Sequence, residues 1–227
     1  MLRALALLSS LAVVACQSSS PPLSLPDGQG RGVLTADAVP PPGAPTWERP
    51  TWRVGDRFVL QLGDRQRGEA AVTALLADAY VIDNGGVQTR RGLDLGHLGE
   101  FAPNGQPLHV LTPADTRYHW PLWVGKHWTC EFVDRALGGR AMTMVADYTV
   151  EALDTIVVPA GTFEALRIVR RVQWTDAGEP LPSRAQVVWY GPSVGTEVRQ
   201  LVGDTLVELV ERPRAGPRGD GRPHRGP

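Results

Sequence analysis

Residues 118 to 132, YHWPLWVGKHWTCEF, hold three of the seven tryptophans, two of the five histidines and the only cysteine outside the extreme N-terminus. His119, His127 and Cys130 are the residue types of a zinc site, or of a thiol activated by an imidazole. Their spacing speaks against both. Structural zinc sites draw on close Cys or His pairs, and none occurs here. In a strand, residues three apart point to opposite faces, so His127 and Cys130 do not converge on one ion or one proton. His109 and Asp115 complete no set with them. Trp128 and Phe132 share the face of Cys130, an apolar setting that favours a buried thiol over a reactive thiolate. Glu151 with Asp154 is the carboxylate pair most worth weighing for acid–base work, and their offset of three also predicts a split across strand faces. No nucleophile elbow G-x-S-x-G, no H-E-x-x-H and no phosphate-cradling glycine loop is read in the chain.

What remains chemically distinctive is aromatic. Trp120 and Trp123 flank Pro121 just before the strand, so they belong to a loop or a sheet rim. There they either form the apolar lip of a ligand site or plug the end of the core. An echo of the stretch, TWRVGDRFVLQL at 51–62, places Phe58, Leu60 and Leu62 where Trp128, Cys130 and Phe132 stand. It predicts an inward face for both triplets and a wet face for His127.

The elements that must position these residues read as antiparallel strands. Short β-branched and aromatic runs alternate with turn signals at Asn84-Gly85-Gly86, Gly138-Gly139, Asp176-Ala177-Gly178 and Gly203-Asp204. AAVTALLADAYV, where alanine and leucine also suit a helix, is read as strand. The expected fold is mainly β: a single antiparallel meander sheet, strongly curved into an open barrel or half-barrel.

The chain ends say where such a domain works. Arg3, an apolar run from Leu5 to Val14 and small Ala15 lay out a signal peptide over 1–15, too short to span a bilayer. Val13-Val14-Ala15-Cys16 resembles the bacterial lipobox, which implies that Cys16 is lipidated and begins the mature chain. Residues 16–46, rich in Ser, Pro and Gly, are expected to tether a β domain over 47–211, and 212–227, with five arginines against one acid, to form a disordered basic tail. Gln17 after the cysteine points to the outer membrane facing the periplasm. Cys130 is left without a disulfide partner. The net charge of −1 excludes a nucleic-acid-binding surface as the main business of the domain.

Three motifs in order, PLWVGKHWTCEF, then VVPAGTFEALRIV, then VVWYGPSVGTEVRQL, resemble an uncharacterised family of bacterial exported β-rich domains (VGkxW … PAGTF … WYxPxVG), here carried on a lipoprotein. The matching residues are glycines, prolines and apolar side chains, so the resemblance implies fold and export, with no activity attached. The expected function is a membrane-anchored envelope lipoprotein, a non-enzymatic binding or structural module with no cofactor. Its expected partners are the membrane, through the N-terminal lipid anchor, and an apolar ligand or an envelope protein. The alternatives are a carrier of lipid or another apolar ligand, and an envelope hydrolase.

Overall fold

The computed structural model describes residues 30–63, 66–176, 179–180 and 184–214. Its strands are β1 (Gly32–Ala36), β2 (Arg57–Leu62), β3 (Gln66–Leu75), β4 (Ala79–Asp83), β5 (Gln88–Gly92), β6 (His97–Phe101) and β7 (Pro107–Asp115), then β8 (His127–Ala136), β9 (Ala141–Val158), β10 (Gly161–Asp176), β11 (Glu179–Pro180), β12 (Arg184–Gly191), β13 (Thr196–Val202) and β14 (Thr205–Arg214). No helix occurs among the described residues. The alanine-rich stretch forms the end of β3 and most of β4, with Ala70, Val72, Ala79, Tyr80 and Val81 buried.

All pairings are antiparallel, and neighbours run β8-β7-β6-β5-β4-β3-β2-β14-β13-β12-β10. Strand β9 then pairs with both β10 and β8, so twelve strands close into a barrel. The expected curved antiparallel sheet therefore forms, and it shuts. Closure removes the sheet edges that an open curl would leave unpaired. Strand β7 uses only Val133–Ala136 of β8; β1 pairs with Trp128–Glu131 beside it.

Strand β1 shortens the segment expected to be a tether. Gly32–Ala36 lies inside 16–46, yet it is hydrogen-bonded to β8, and Gly30 sits so close that an added Cβ would come within 2.4 Å of the Phe132 Cα. The proline- and serine-rich composition around it conceals a five-residue strand. At the other end β14 runs through Arg214, three residues into the stretch expected to be tail. The signal segment, Cys16 and residues 215–227 lie outside the described residues.

Strand alternation sends Trp128, Cys130 and Phe132 of β8, Ala146, Tyr148 and Val150 of β9, and Leu166, Ile168 and Val172 of β10 into the barrel, all buried. Each fully buried large side chain contributes about 1.5–3 kcal/mol. His127, Thr129, Glu131, Asp147 and Arg171 stay half-buried or exposed on the outer wall. A mainly apolar lining and a charged outer wall differ from the polar-in, apolar-out alternation of a transmembrane barrel. The echo at β2 fades along the strand: Phe58 is buried, Leu60 half-buried and Leu62 exposed. Beyond a register shift opposite Arg167 and Ile168, the end of the β9–β10 hairpin folds over β13 and β14. A second cluster of Ile156, Val158, Phe163, Val198 and Leu209 forms there, held by Ala160 N donating to Leu209 O at 3.1 Å.

Turns after β2, β4, β6, β8 and β13 lie at one end of the barrel, the mouth. Those after β3, β5, β7, β9 and β12 lie at the other.

Candidate functional site

The loop between β7 and β8 closes the far end. Trp123 is buried, with the Lys126 ammonium 4.1 Å from its ring centroid and Lys126 Nζ donating to Pro121 O at 2.7 Å. Burial lowers Lys126 to about 8. Trp120 is half-buried, stacked on Tyr118 at 5.5 Å and edge-on to Tyr190 at 5.5 Å, and its Nε1 donates to Asp94 O at 2.7 Å. It borders an open depression of about 450 Å³ with Val33, Glu48, His119 and Pro121. Trp47 pairs with Leu122, and Trp52 Nε1 donates to Gly195 O at 2.8 Å, so the segment before β2 lies across the same end.

The expected metal and thiol ligands stay apart. Cys130 is buried and His127 exposed, and His127 Nε2 lies 4.0 Å from Asp147. No group of three His, Cys, Asp or Glu able to hold a metal occurs among the described residues. Burial pushes the Cys130 thiol up to about 12, so it stays protonated. Glu151 and Asp154 do not separate as strand alternation predicts. The register shift in β9 lets Arg167 reach both, at 3.4 and 3.3 Å, which makes them an ion-paired patch on the wall. Gly191-Pro192-Ser193-Val194-Gly195 is a literal G-x-S-x-G that the motif reading overlooks. It forms the turn between β12 and β13, without the strand-to-helix geometry of a nucleophile elbow.

A buried polar cluster fills the middle of the barrel. Arg170 Nη2 donates to Asp115 Oδ2 at 2.8 Å and Nε donates to the Tyr148 hydroxyl at 2.8 Å. Tyr148 in turn donates to Asp115, and Cys130 Sγ lies 3.6 Å from the same carboxylate. Arg117 Nε is 3.6 Å from Asp115. A second carboxylate, Glu197, accepts from Tyr118 at 2.6 Å and from Gln200, and lies 3.6 Å from Arg91. Burial works to raise Glu197, but Arg91, Arg117 and the Tyr118 hydrogen bond outweigh it and hold the carboxyl below its ordinary range. Burial is also the largest influence on Arg170 and opposes its charge; Tyr148 and Asp115 overcome it, so the guanidinium stays charged. Each carboxylate thus has two guanidinium neighbours and a tyrosine. That is what a buried charge needs.

Sequence reasoning misses this cluster because Asp115, Arg170 and Glu197 sit in ordinary-looking strands. The available signal is parity: Arg170 falls between Ile168 and Val172 on the inward face.

The apolar recess lies at the mouth. A cleft of about 620 Å³ opens there, walled by Met142, Met144, Val172, Trp174 and Val202, with Arg170 and Gln186 among its lining. Within the barrel, a cavity of only about 100 Å³ is left between Trp52, Phe58, Arg91, Tyr118 and Glu197. The mouth cleft falls in the size range of small-molecule sites, about 300–1,000 Å³, and the inner cavity does not. Trp174 is eight residues along β10 from Leu166, the strand partner of the Tyr190 that Trp120 touches. At about 3.3 Å per residue the cleft and Trp120 are roughly 26 Å apart along the wall.

No family model and no curated protein matches the chain. Among solved structures it is similar to the hypothetical lipoprotein YmcC of Escherichia coli K12, at 12% identity over 74% of this chain and 91% of that one, with a TM-score of 0.45. A protein of Parabacteroides distasonis, provisionally classed as a lipoprotein, shows 13% identity over 74% and 99%, with a TM-score of 0.41. An exported protein of Bacteroides fragilis, provisionally so classed and described as having a YmcC-like fold, shows 11% over 74% and 99%, at 0.37. Likeness of this degree says nothing about what the chain binds.

Proposed function

We propose that the chain is a bacterial envelope lipoprotein, held through an acylated Cys16 in the outer membrane and facing the periplasm. Its barrel is a non-enzymatic module that binds an apolar or amphiphilic ligand. The observation that carries the binding reading is the mouth cleft, where methionines and a tryptophan line open volume while the rest of the interior is packed. Methionine walls adapt to irregular apolar shapes. A hydrolase would need a polar group poised for transfer, whereas the buried carboxylates are ion-paired and the thiol is protonated. In this reading Trp120 and Trp123 close the end of the barrel opposite the ligand.

The test is native mass spectrometry of the chain purified from its own envelope, paired with titration of an apolar fluorescent probe. Copurifying lipid or saturable probe binding is expected. Met144→Glu should weaken probe binding at least tenfold while the thermal unfolding midpoint stays within a few degrees. If no lipid copurifies and no probe binds the parent chain, the reading fails.

A further inference from the structure

The apolar cleft at the mouth has a charged floor. Arg170 is the strand partner of Tyr148 in β9 and of Gln186 in β12, and Gln186 is the partner of Val202 in β13. Val172 and Trp174 stand two and four residues nearer the mouth along β10, with Met144 opposite Trp174. The apolar wall is therefore about 13 Å deep from Trp174 to Arg170, at roughly 3.3 Å per residue. Beneath Arg170 the space between Arg117, Tyr148, Ile168 and Val188 closes to about 10 Å³, room for one water at most.

The charges of this floor do not balance among the described residues. The side chains of Arg91, Arg117 and Arg170 are only 15%, 22% and 17% exposed, and two buried carboxylates, Asp115 and Glu197, stand among them. Three guanidinium groups against two carboxylates leave one positive charge over. His97, which senses the same arginines, is neutral and changes nothing in that count. Closer to the rim, Asp134 hydrogen-bonds His109 and Glu100 is that histidine's strand partner, so these carboxylates serve a different cation. A buried charge without a full partner favours any anion that can reach it. Arg170 is the guanidinium that borders the cleft. Its Nε is given to Tyr148 and its Nη2 to Asp115, and Nη1 is given to neither.

We infer that the cleft takes a single-chain carboxylate of the fatty-acid class, entering head first, an assignment that rests on the cleft being the binding site. The carboxylate lies on Arg170 beside Gln186, and the chain lies against Val172, Trp174, Met142 and Met144. The closed floor selects the head, because a carboxylate carries nothing beyond its charged atoms and a phospholipid head does.

The experiment is calorimetric titration of the full-length chain held in amphipol, where no detergent monomer competes. Dodecanoate is expected to bind at least about tenfold tighter than dodecanol, the gain from a hydrogen bond to a charged group. From octanoate to dodecanoate the affinity should rise about fourfold per methylene. Gln186→Glu supplies Arg170 with an anion of its own and should bring the dodecanoate-to-dodecanol ratio to about one. Arg170 stays in place in this design, because its loss strands Asp115. Equal binding of dodecanoate and dodecanol by the parent chain overturns the inference and leaves apolar binding standing. Tighter binding of dodecyltrimethylammonium or of dodecylphosphocholine than of dodecanoate also overturns it, the latter in favour of a phospholipid head. Affinity independent of chain length overturns it too, since the head would then be held outside the cleft. If none of these ligands binds, the binding reading itself has failed.

Discussion

His97 is a buried imidazole inside a barrel that also holds the guanidinium groups of Arg91, Arg117 and Arg170. Its Nδ1 makes no hydrogen bond among the described residues, and burial, reinforced by Arg117 and Arg91, lowers it to about 2. The sign of its effect on stability follows. The unfolded chain takes up a proton on this histidine near pH 6.5 and the folded chain does not, so stability falls as the pH drops below about 6.5. The contribution approaches about 1.4 kcal/mol per pH unit. His109 acts the other way: its hydrogen bond to Asp134 raises it, giving stability at low pH that fades as the pH rises through the raised value. Urea unfolding of the parent and of His97→Leu between pH 6.5 and 5 should therefore diverge, the variant losing close to one proton's worth of slope. Equal slopes would show that His97 takes up its proton without unfolding. At this scale the strand period reads well from sequence, and it puts Cys130 inside and His127 outside correctly. Parity also puts Arg170 rather than Arg171 inside, but it does not reveal the partner that lets a charged residue enter a core, here Asp115 of β7.

At the scale of elements, the hairpins announced by Asn84-Gly85-Gly86, Gly138-Gly139 and Gly203-Asp204 form where their turn residues stand. Positive φ at Gly85 and Gly86, 77° and 105°, is the reason those residue types mark the turn. Two features escape. One is β1, whose five residues lack a hairpin partner in sequence and pair with a strand about a hundred residues away. The other is the irregularity in β9, which turns Glu151 and Asp154 toward one arginine and is invisible to a strict period of two. Strand β1 offers a direct test. Gly30→Leu places a side chain where even a Cβ meets Phe132 backbone, so β1 should detach. Limited proteolysis should then cut within 30–46, and unfolding should cost about 1–3 kcal/mol less, the usual range for a damaging single substitution. Resistance to cleavage with parent-like stability would mean that β1 is held by later contacts alone.

At the scale of the molecule, closure depends on β9 reaching β8 on one side and β10 on the other, a consequence of strand lengths and tilt that no local pattern encodes. The anchor proposed at Cys16, by contrast, rests on sequence alone. Cys16→Ala should move the protein from the membrane fraction to the soluble fraction, while continued sedimentation with membranes would refute acylation as the means of attachment.

Strand β1 begins beside Phe132, part-way along β8, whereas β14 ends at Arg214 opposite Arg57, at the pole closed by the β7–β8 loop. Arg212 and Arg214, the first of the five terminal arginines, already stand at the far pole, where the Arg212 guanidinium lies 5.2 Å from the Phe163 ring centroid. Ten residues of β14 separate that pole from the mouth, roughly 30 Å and several screening lengths of about 8 Å at physiological salt. The last arginines of β14 therefore set a local positive charge at the pole that the β7–β8 loop closes, and screening confines its reach to that pole.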